Sequence, residues 1–538
     1  MQEALVITFF LFFLSCSPKT PVILSIDPKI GKMGEVITLT GSNFGEARVE
    51  AYVTIAGTAP TNSSYHLWQN DKIVVRIPET GESGLIYVHI GRRKSNGVLF
   101  SNLSSVPKPI EGEEFGLEPR INSVSPQTGA PGMQVTITGN NFGGTREGSG
   151  VYFSWDYETP SINPFAVNEP EFIEVSDTEL GYEYWSMREI RVRIPDGVVS
   201  GNLEIKTPHG KSRPVFFDIS GKPGVKTFKE KRSYTVSYSV DIRTLEAQKP
   251  NTLYLWIPKP ITSPSQRNVS LISRSMEPFI ENYRGVSLFK MESLVAGASQ
   301  TINLSYRVEV YTAESGMRPL SVKQEQSPLH AMYTQGTALI PSDNERIKAA
   351  TSGILGREQN PYVKARLIYD WILENIFISQ NSFSPDIITA LEQKQADPCS
   401  AVLLYTAMLR AAGLPCIPVA GVLVPSERDR GGQTLHHYWT ELWIADFGWL
   451  PVDPVMGAGA VPSIYISKQD TGNYYFGSMD NMRIAFSRGE PVLSQMESRG
   501  RLVSHTKSYS LQNIWEEAAG GLESYSSLWG DITISGIY

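Results

Sequence analysis

The sequence has 538 residues, of which 41% are hydrophobic, and this is more than one ordinary hydrophobic core can hold. Its formal net charge is −7 without a long cluster of Lys and Arg, which argues against nucleic acid as a main partner. Gly and Pro punctuate short runs rich in Val, Ile, Thr and Tyr over most of the length, whereas helical patterns concentrate between residues 344 and 413. We therefore expect β-sandwich domains followed by a mixed α/β domain.

The first 20 residues carry an apolar run, Leu5 to Leu14, followed by Ser15 and Cys16. The run is short for a membrane-spanning helix, and Phe13-Leu14-Ser15-Cys16 resembles a bacterial lipobox. This resemblance implies cleavage before Cys16, lipidation of its thiol, and a lipid-anchored protein of the bacterial cell envelope. An uncleaved N-terminal anchor, ordinary secretion and no export are the alternatives, since the start of the segment holds Glu3 and no Lys or Arg.

A long repeat follows this segment. Residues 21–45 and 119–143 align without a gap, and both contain Pro-x-x-Gly-x-x-Gly and Thr-x-Thr-Gly-x-Asn-Phe-Gly. Side chains alternate between Gly and Pro turns, as an antiparallel sandwich requires. The sequence therefore predicts two copies of one module, at 21–105 and 119–220, joined by a Pro- and Glu-containing linker at 106–118.

The repeated pattern resembles the IPT/TIG immunoglobulin-like family. The resemblance implies a spacer or an interaction module in a surface protein. The second copy carries an insertion rich in Trp, Tyr, Pro and Glu around Trp155 to Trp185, which the first copy lacks. This insertion is the place where we would look for binding, and a packed excursion is the alternative.

Residues 221–315 form a third β-rich region without repeat register to the first two. Alternating side chains run from Tyr234 to Ile242 and from Ile302 to Val310, with Leu253 to Pro260 between them. We predict a further β-sandwich here.

Helices are predicted next. Pro361 opens one with an apolar stripe, and residues 385–394 form a second, shorter one. A third begins near Cys399, because strong helix formers follow it and Gly413 and Pro415 supply the stop. A thiol at a helix N-terminus is favoured as a thiolate, and the free amides there can receive an oxyanion.

Two strands follow this helix. On the first, alternation places His437, Trp439 and Glu441 on one face and His436 and Tyr438 on the other. The second strand ends at an acid, in Gly448-Trp-Leu-Pro-Val-Asp453-Pro454. Adjacent antiparallel strands can thus bring Asp453 beside a histidine, which provides a base and its orienting group.

Three segments in this order, Pro-Cys-x8-Met-Leu-Arg-Ala-Ala-Gly-Leu-Pro, His-x-Trp-x-Glu and Gly-Trp-x-Pro-Val-Asp-Pro, resemble the transglutaminase-like superfamily. The resemblance covers about 316–538 and implies an α+β, papain-like fold. It also implies that Cys399 is the nucleophile, His437 the base and Asp453 the residue that orients it. Residues 221–315 are similar to the β domain that often precedes this fold in bacterial proteins. The predicted architecture is thus three β-sandwich domains followed by a transglutaminase-like domain.

The implied chemistry is acyl transfer through a thioester to an amine or to water, on a protein or peptide substrate and without a cofactor. Pro398 precedes the cysteine where the family commonly has a small residue, and it has no amide to donate, so the second oxyanion donor stays open. We expect Cys416 to be a buried free thiol and His436 to face away from Cys399, and no Cys/His pairs show metal-ligand spacing. The alternative function is a non-catalytic adhesion or scaffold lipoprotein that binds through its immunoglobulin-like domains.

Overall fold

The computed structural model describes residues 19–78, 83–102, 118–146, 148–158, 171–177, 179–324, 328–380, 386–425, 432, 434–460, 462, 465, 468–505 and 507–538. Cys16 and most of the predicted linker lie outside these residues. The chain divides into two compact units, Met1–Pro107 and Lys108–Tyr538. The first unit therefore holds the first predicted module, and the second unit holds everything that follows.

The first unit is built from two small sheets around one core. Their strands are β1 (Val22–Asp27), β2 (Ile30–Gly31), β3 (Val36–Ser42), β4 (Ala51–Ile55), β5 (Tyr65–Trp68), β6 (Lys72–Arg76), β7 (Gly84–Ile90), β8 (Arg93–Lys94) and β9 (Val98–Asn102). The order is β1-β3-β6-β5 in one sheet and β2-β9-β7-β4 in the other, with β8 paired to β7. Ile37, Val53 and Phe100 are fully buried in the core that the two sheets share.

The second copy repeats this topology within the second unit. Its strands are β10 (Arg120–Ser125), β11 (Thr128–Gly129), β12 (Gln134–Asn140), β13 (Gly150–Trp155), β14 (Glu171–Glu174), β15 (Tyr182–Trp185), β16 (Glu189–Arg193), β17 (Gly201–Thr207), β18 (Gly210–Lys211) and β19 (Val215–Ile219). The sheets run β10-β12-β16-β15 and β11-β19-β17-β13-β14. The order matches the first copy strand for strand, except that β14 from the insertion extends the edge at β13.

The described part of the aromatic insertion is packed. Trp155 is 2% exposed and lies against Phe228 and Tyr311, with ring centroids 5.5 and 4.8 Å away. Trp185 is buried in the core of the second copy. Trp155 therefore joins the second copy to the region that follows, whereas Trp185 packs within the second copy itself. Residues 159–170 of the insertion lie outside the described residues.

The third region is a set of long strands. They are β20 (Lys226–Pro258), β21 (Gln266–Arg274), β22 (Ile280–Tyr283), β23 (Val286–Glu292) and β24 (Ser299–Ser315). β20 pairs with β24 along its first half and with β23 along its second half, so one strand of 33 residues serves two stretches of the sheet.

The α-helices of the described residues lie between residues 328 and 474. The elements of this part are α1 (Pro328–Tyr333), α2 (Glu345–Leu355), α3 (Pro361–Asn375), β25 (Phe377–Ile378), α4 (Ile387–Gln393), β26 (Gln395–Ala396), α5 (Pro398–Ala411), β27 (Cys416–Leu423), β28 (Leu435–Ile444), β29 (Gly448–Val452), α6 (Pro454–Gly457), α7 (Thr471–Tyr474) and β30 (Arg483–Arg488). The sheet order is β29-β28-β27-β30, and all its pairs are antiparallel. α5 packs against β27 and β28.

The predicted helix signals are present in the structure. Asn360 caps α3 through its side chain, with Pro361 as the first helical residue, and Asp386 caps α4 in the same way. α5 ends before Gly413, whose φ of 74° lies in the left-handed region that favours glycine. Pro398 is the first residue of α5.

The C-terminal strands return to the third region. β31 (Arg501–Val503), β32 (Glu516–Trp529) and β33 (Thr533–Ile537) belong to the sheet of β20, with β32 and β33 paired directly to it. The structure thus differs from the expected division into 221–315 and 316–538, because both segments contribute strands to one sheet. Sequence pattern alone did not indicate this pairing, since strands almost 300 residues apart carry no local signal of their partner.

Buried ion pairs fix the second copy to the later parts of its unit. Lys226 Nζ lies 2.8 Å from Asp196 Oδ2, and both side chains are at most 7% exposed. Asp196 also accepts a hydrogen bond from the Trp449 backbone amide at 3.2 Å. Arg488 binds both Glu179 and Glu441. The second module therefore packs on the sheet that carries β28 and β29.

Candidate active site

Cys399 lies in the first turn of α5. Asp397 is the N-cap, and its side chain accepts a hydrogen bond from the Ser400 amide at 2.9 Å. Cys399 is the second helical residue and is only 2% exposed. The helix therefore begins where the sequence predicts, but a carboxylate already occupies part of its N-terminus.

The surroundings of Cys399 favour the neutral thiol. Burial, and then the nearby Asp397 carboxylate, raise the pKa of Cys399 to about 12, while Lys507 and the Tyr438 hydroxyl act in the opposite direction. Lys507 forms an ion pair with Asp397. In this arrangement the thiol is protonated at neutral pH, in contrast to the thiolate that a free helix N-terminus favours.

The face of β28 that contacts α5 carries Tyr438, Thr440 and Leu442. The hydroxyl groups of Thr406 in α5 and Thr440 are hydrogen-bonded to each other at 2.9 Å. Tyr438 lies in the same core cluster as Cys399. His437 lies on the opposite face, where its ring stacks on Trp439 with 6.3 Å between centroids. The alternation follows the prediction, and it separates the thiol from the imidazole.

His437 and Asp453 form a buried pair. Nε2 of His437 lies 2.6 Å from Oδ2 of Asp453, and both side chains are fully buried. Oδ1 of Asp453 accepts hydrogen bonds from the amides of Val455 and Met456 at 3.1 and 3.0 Å, so the carboxylate also caps α6. An ionised carboxylate only accepts, so Nε2 is the protonated nitrogen of this imidazole.

The second ring nitrogen of His437, Nδ1, lies in a different environment. Nδ1 is buried and has no hydrogen-bond partner among the residues that the structure describes. Nor does a hydrogen bond join Cys399 to His437 within this part of the chain. The structure thus brings together two of the three predicted site residues and places the third beside Tyr438.

His436 shares the α5 side of the sheet by the same alternation. Its ring lies 5.7 Å from that of Tyr509, and burial is the main cause that lowers the pKa of His436. We expected His436 to face away from the thiol. Side chains alternate along β28 as predicted, so His436 and Tyr438 share one face of the strand. Cys399 packs on that same face, beside Tyr438, and His436 therefore does not face away from the thiol.

Cys416 is a free, buried thiol at the start of β27. Its Sγ donates to the Thr406 carbonyl at 3.4 Å, and burial raises the pKa of Cys416 to about 12. These contacts are those of a packed side chain.

Arg483 and Asp480 complete the surroundings of Asp453, and sequence analysis did not single them out. Arg483 Nη1 donates to Asp453 Oδ2 at 2.7 Å, and Nη2 donates to Asp480 Oδ2 at 3.1 Å. Arg483 lies 30 residues after Asp453 in β30, beyond the motifs that carried the prediction. The signal available was a basic residue ahead of a short apolar run, Ile484 to Phe486.

Comparisons with known proteins agree with the predicted modules. The model of the transglutaminase-like superfamily matches residues 348–454, which include Cys399, His437 and Asp453. The model of the IPT/TIG domain matches residues 21–105 and 119–161.

The chain carries IPT/TIG domains and a transglutaminase-like core.

The match to the transglutaminase-like core supports a cysteine-type catalytic function. Curated relatives match only in part. Cyclomaltodextrin glucanotransferase of Bacillus licheniformis is 29% identical over 126 residues, which cover 23% of this chain and 16% of that enzyme. An uncharacterized protein of Haemophilus influenzae is 25% identical over 145 residues, covering 22% of this chain and 38% of its own length. The chain therefore spans well under half the length of these relatives.

Two solved structures show weak likeness to this chain. A candidate cysteine protease from Cytophaga hutchinsonii has a TM-score of 0.35 and 14% identity, covering 58% of this chain and 91% of that one. SGBP-B from a xyloglucan utilization locus in Bacteroides uniformis has a TM-score of 0.14 and 11% identity, covering 55% and 99% of the two chains. Scores this low support no argument about function.

The described residues also bear on two other classes of site. They contain no helix that is long and apolar enough to cross a membrane. Within the same residues, no group of three or more His, Cys, Asp or Glu side chains could hold a metal ion.

Proposed function

We propose that this protein is a cysteine acyl transferase or amide hydrolase of the bacterial cell envelope. The observation that carries the proposal is the buried His437–Asp453 pair, with Nε2 bound to the carboxylate and Nδ1 without a partner among the described residues. An imidazole held in this way is a general base that lacks only its nucleophile. The match to the transglutaminase-like core over the same residues supports Cys399 as that nucleophile.

The proposed reaction proceeds through a thioester. Nδ1 of His437 takes the thiol proton of Cys399, and the resulting thiolate attacks the carbonyl carbon of an amide. The imidazolium then returns the proton to the leaving amine as the C–N bond breaks, which leaves an acyl thioester on Cys399. An amine or a water molecule finally attacks the thioester, giving a new amide or a free carboxylic acid.

This proposal requires the first turn of α5 to change. Cys399 Sγ must leave the Tyr438 side and reach hydrogen-bond distance of Nδ1. The Asp397 carboxylate that caps Ser400 must also stop opposing the thiolate. The described arrangement is then the resting form of the enzyme, in which the base is ready and the thiol is withheld.

A second candidate function is a non-catalytic scaffold that binds partners through its IPT/TIG domains. The observation that favours it is the position of Cys399, which is 2% exposed, beside Tyr438 and next to a carboxylate. On this hypothesis the His437–Asp453 pair is a structural element that holds β28 to α6.

One experiment separates the two functions. The purified chain is incubated with a mixed peptide and cell-wall library and a fluorescent primary amine, and both ammonia release and amine incorporation are measured. The enzyme hypothesis expects turnover that Cys399→Ala and His437→Gln abolish and that Cys416→Ala leaves intact. Turnover that persists in folded Cys399→Ala contradicts the assigned nucleophile. If the wild type shows no turnover, and a thiol-reactive amide probe does not label it, the result supports the scaffold.

The anchor is a separate part of the proposal. It rests on the sequence around Cys16, which lies outside the described residues. Cells that express the chain should incorporate radiolabelled palmitate into it, and Cys16→Ser should prevent this. Incorporation that is unchanged in Cys16→Ser contradicts lipidation at this residue.

A further inference from the structure

Asp453 is saturated by four donors, and the permanent cation among them is Arg483. Its Oδ1 accepts from two backbone amides, and its Oδ2 accepts from His437 at 2.6 Å and from Arg483 at 2.7 Å. Arg483 is 3% exposed and Asp453 is fully buried. A guanidinium keeps its charge at every accessible pH, whereas an imidazole does not.

Buried carboxyl groups tend to become neutral. Burial alone raises the pKa of Asp453, and His437, Arg483 and the Met456 amide then bring it below its usual range. A neutral carboxylic acid could donate its proton to Nε2 and leave Nδ1 as the protonated nitrogen. The tautomer of His437 therefore depends on whether Asp453 keeps its charge.

Arg483 is itself held in place on its other side. Its Nη2 donates to Asp480 Oδ2 at 3.1 Å, and Asp480 also accepts from the Tyr475 hydroxyl at 2.8 Å and from the Tyr465 hydroxyl. The guanidinium lies 5.3 Å from the Trp439 ring. The fork of Arg483 is thus fixed between two carboxylates, and its orientation toward Asp453 is not free to vary.

We propose that Arg483 is a positioning residue, which keeps Asp453 ionised and thereby keeps Nδ1 of His437 as the unprotonated nitrogen. This inference rests on the proposed function for its catalytic consequence. Its structural content, the tautomer of His437, can be measured without any activity. Two further titratable groups, Tyr369 of α3 and Tyr475, lie near Asp453. Burial is the main cause that raises the pKa of both tyrosines, so both are neutral at physiological pH.

The test replaces the cation together with its second partner. Arg483→Met combined with Asp480→Asn removes one positive and one negative charge, so the net charge of the protein is unchanged and Asp480 does not become an unpaired buried carboxylate. Asp480→Asn alone is the matched control, since it leaves the contact between Arg483 and Asp453. Arg483→Gln with Asp480→Asn is the second variant, which keeps a hydrogen-bond donor but no charge.

The measurement is 15N NMR of the full chain with histidine-selective labelling, with the His437 signals assigned by their loss in His437→Gln. Wild type and Asp480→Asn should show protonated Nε2 and unprotonated Nδ1. Either double variant that folds should lose this pattern and should lower kcat by about 10- to 100-fold with little change in KM, as removal of an orienting outer-shell partner does.

A double variant that folds, by near-UV circular dichroism, and keeps the wild-type 15N pattern overturns the inference. The same holds if Asp480→Asn loses the pattern as completely as the double variants do, because the effect would then not belong to Arg483. If the wild type has no activity, the proposed function fails, but the 15N pattern still decides whether Arg483 sets the tautomer.

Discussion

Cys399 packs beside Tyr438, the residue that follows His437 in β28, so the thiol and the imidazole lie on opposite faces of one strand. The His437 imidazole and the Asp453 carboxylate are joined at 2.6 Å, while the thiol is buried near Asp397 and Lys507. The reaction proposed for Cys399 and His437 therefore requires a change in the first turn of α5, and not in the His437–Asp453 pair.

The two charged neighbours of Cys399 should have opposite effects on its reactivity. Asp397 raises the pKa of the thiol and Lys507 lowers it, although the two side chains form an ion pair with each other. At pH 8, Asp397→Asn should speed alkylation of Cys399 by iodoacetamide, and Lys507→Met should slow it. Each change should be about three- to tenfold, since one pKa unit alters the thiolate fraction tenfold.

Mass spectrometry of the Cys399 peptide measures these rates, with the Cys416 peptide as the internal reference. Asn is a good N-cap, so Asp397→Asn should leave α5 intact. If both variants speed the alkylation of both cysteines, the substitutions have opened the structure, and the electrostatic explanation is wrong.

Local patterns predicted much of this site because local physics fixes it. The start of α5, the alternation along β28 and the approach of Asp453 to His437 follow from caps, strand period and the pairing of adjacent strands. The face of the sheet that α5 covers is not a local property. It depends on packing between segments, and the sequence does not show that Cys399 reaches the Tyr438 side.

Contacts between distant segments escaped prediction for the same reason. Arg483 reaches Asp453 from β30, and β33 pairs with β20 across almost 300 residues. The repeat of the IPT/TIG modules was predictable, because two aligned copies report a shared fold without any knowledge of contacts.

The C-terminal strands should be required for the stability of the third region. Leu522 of β32 is 3% exposed in the core that β20 and β24 share, whereas Leu528 of the same strand is 67% exposed. Leu522→Ala should reduce the free energy of unfolding by about 2–5 kcal/mol, and Leu528→Ala by less than about 0.5 kcal/mol. Equal effects of the two substitutions in chemical denaturation would contradict the pairing of β32 with β20.

Loss of Lys226 from its ion pair with Asp196 should destabilise the protein mainly because Asp196 is then left as an unpaired buried carboxylate. Burial is the main cause that raises the pKa of Asp196, and Lys226 opposes it. Lys226→Met should therefore destabilise the protein by about 3–5 kcal/mol, whereas Lys226→Met with Asp196→Asn should recover most of that loss. Thermal unfolding of the two variants measures the difference, and a double variant as unstable as the single one would show that packing, not charge, sets the cost.

Asp480 should contribute to stability in a defined range of pH. Burial opposes its ionisation, but Arg483, Tyr465 and the Met482 amide lower the pKa of Asp480 from 3.8 to about 2. A carboxyl whose pKa is lower in the folded state stabilises the fold fully above its unfolded pKa, and the contribution is lost as pH falls toward the folded pKa. Between pH 4 and pH 2 the free energy of unfolding of the wild type should therefore fall by about 2 kcal/mol through this group, and Asp480→Asn should lack that loss.

Chemical denaturation across this range measures how the free energy of unfolding changes with pH, and Asp218→Asn, at an exposed residue, controls for the removal of one negative charge. Parallel slopes for the wild type and Asp480→Asn would contradict the ionised Asp480–Arg483–Asp453 arrangement that the site depends on.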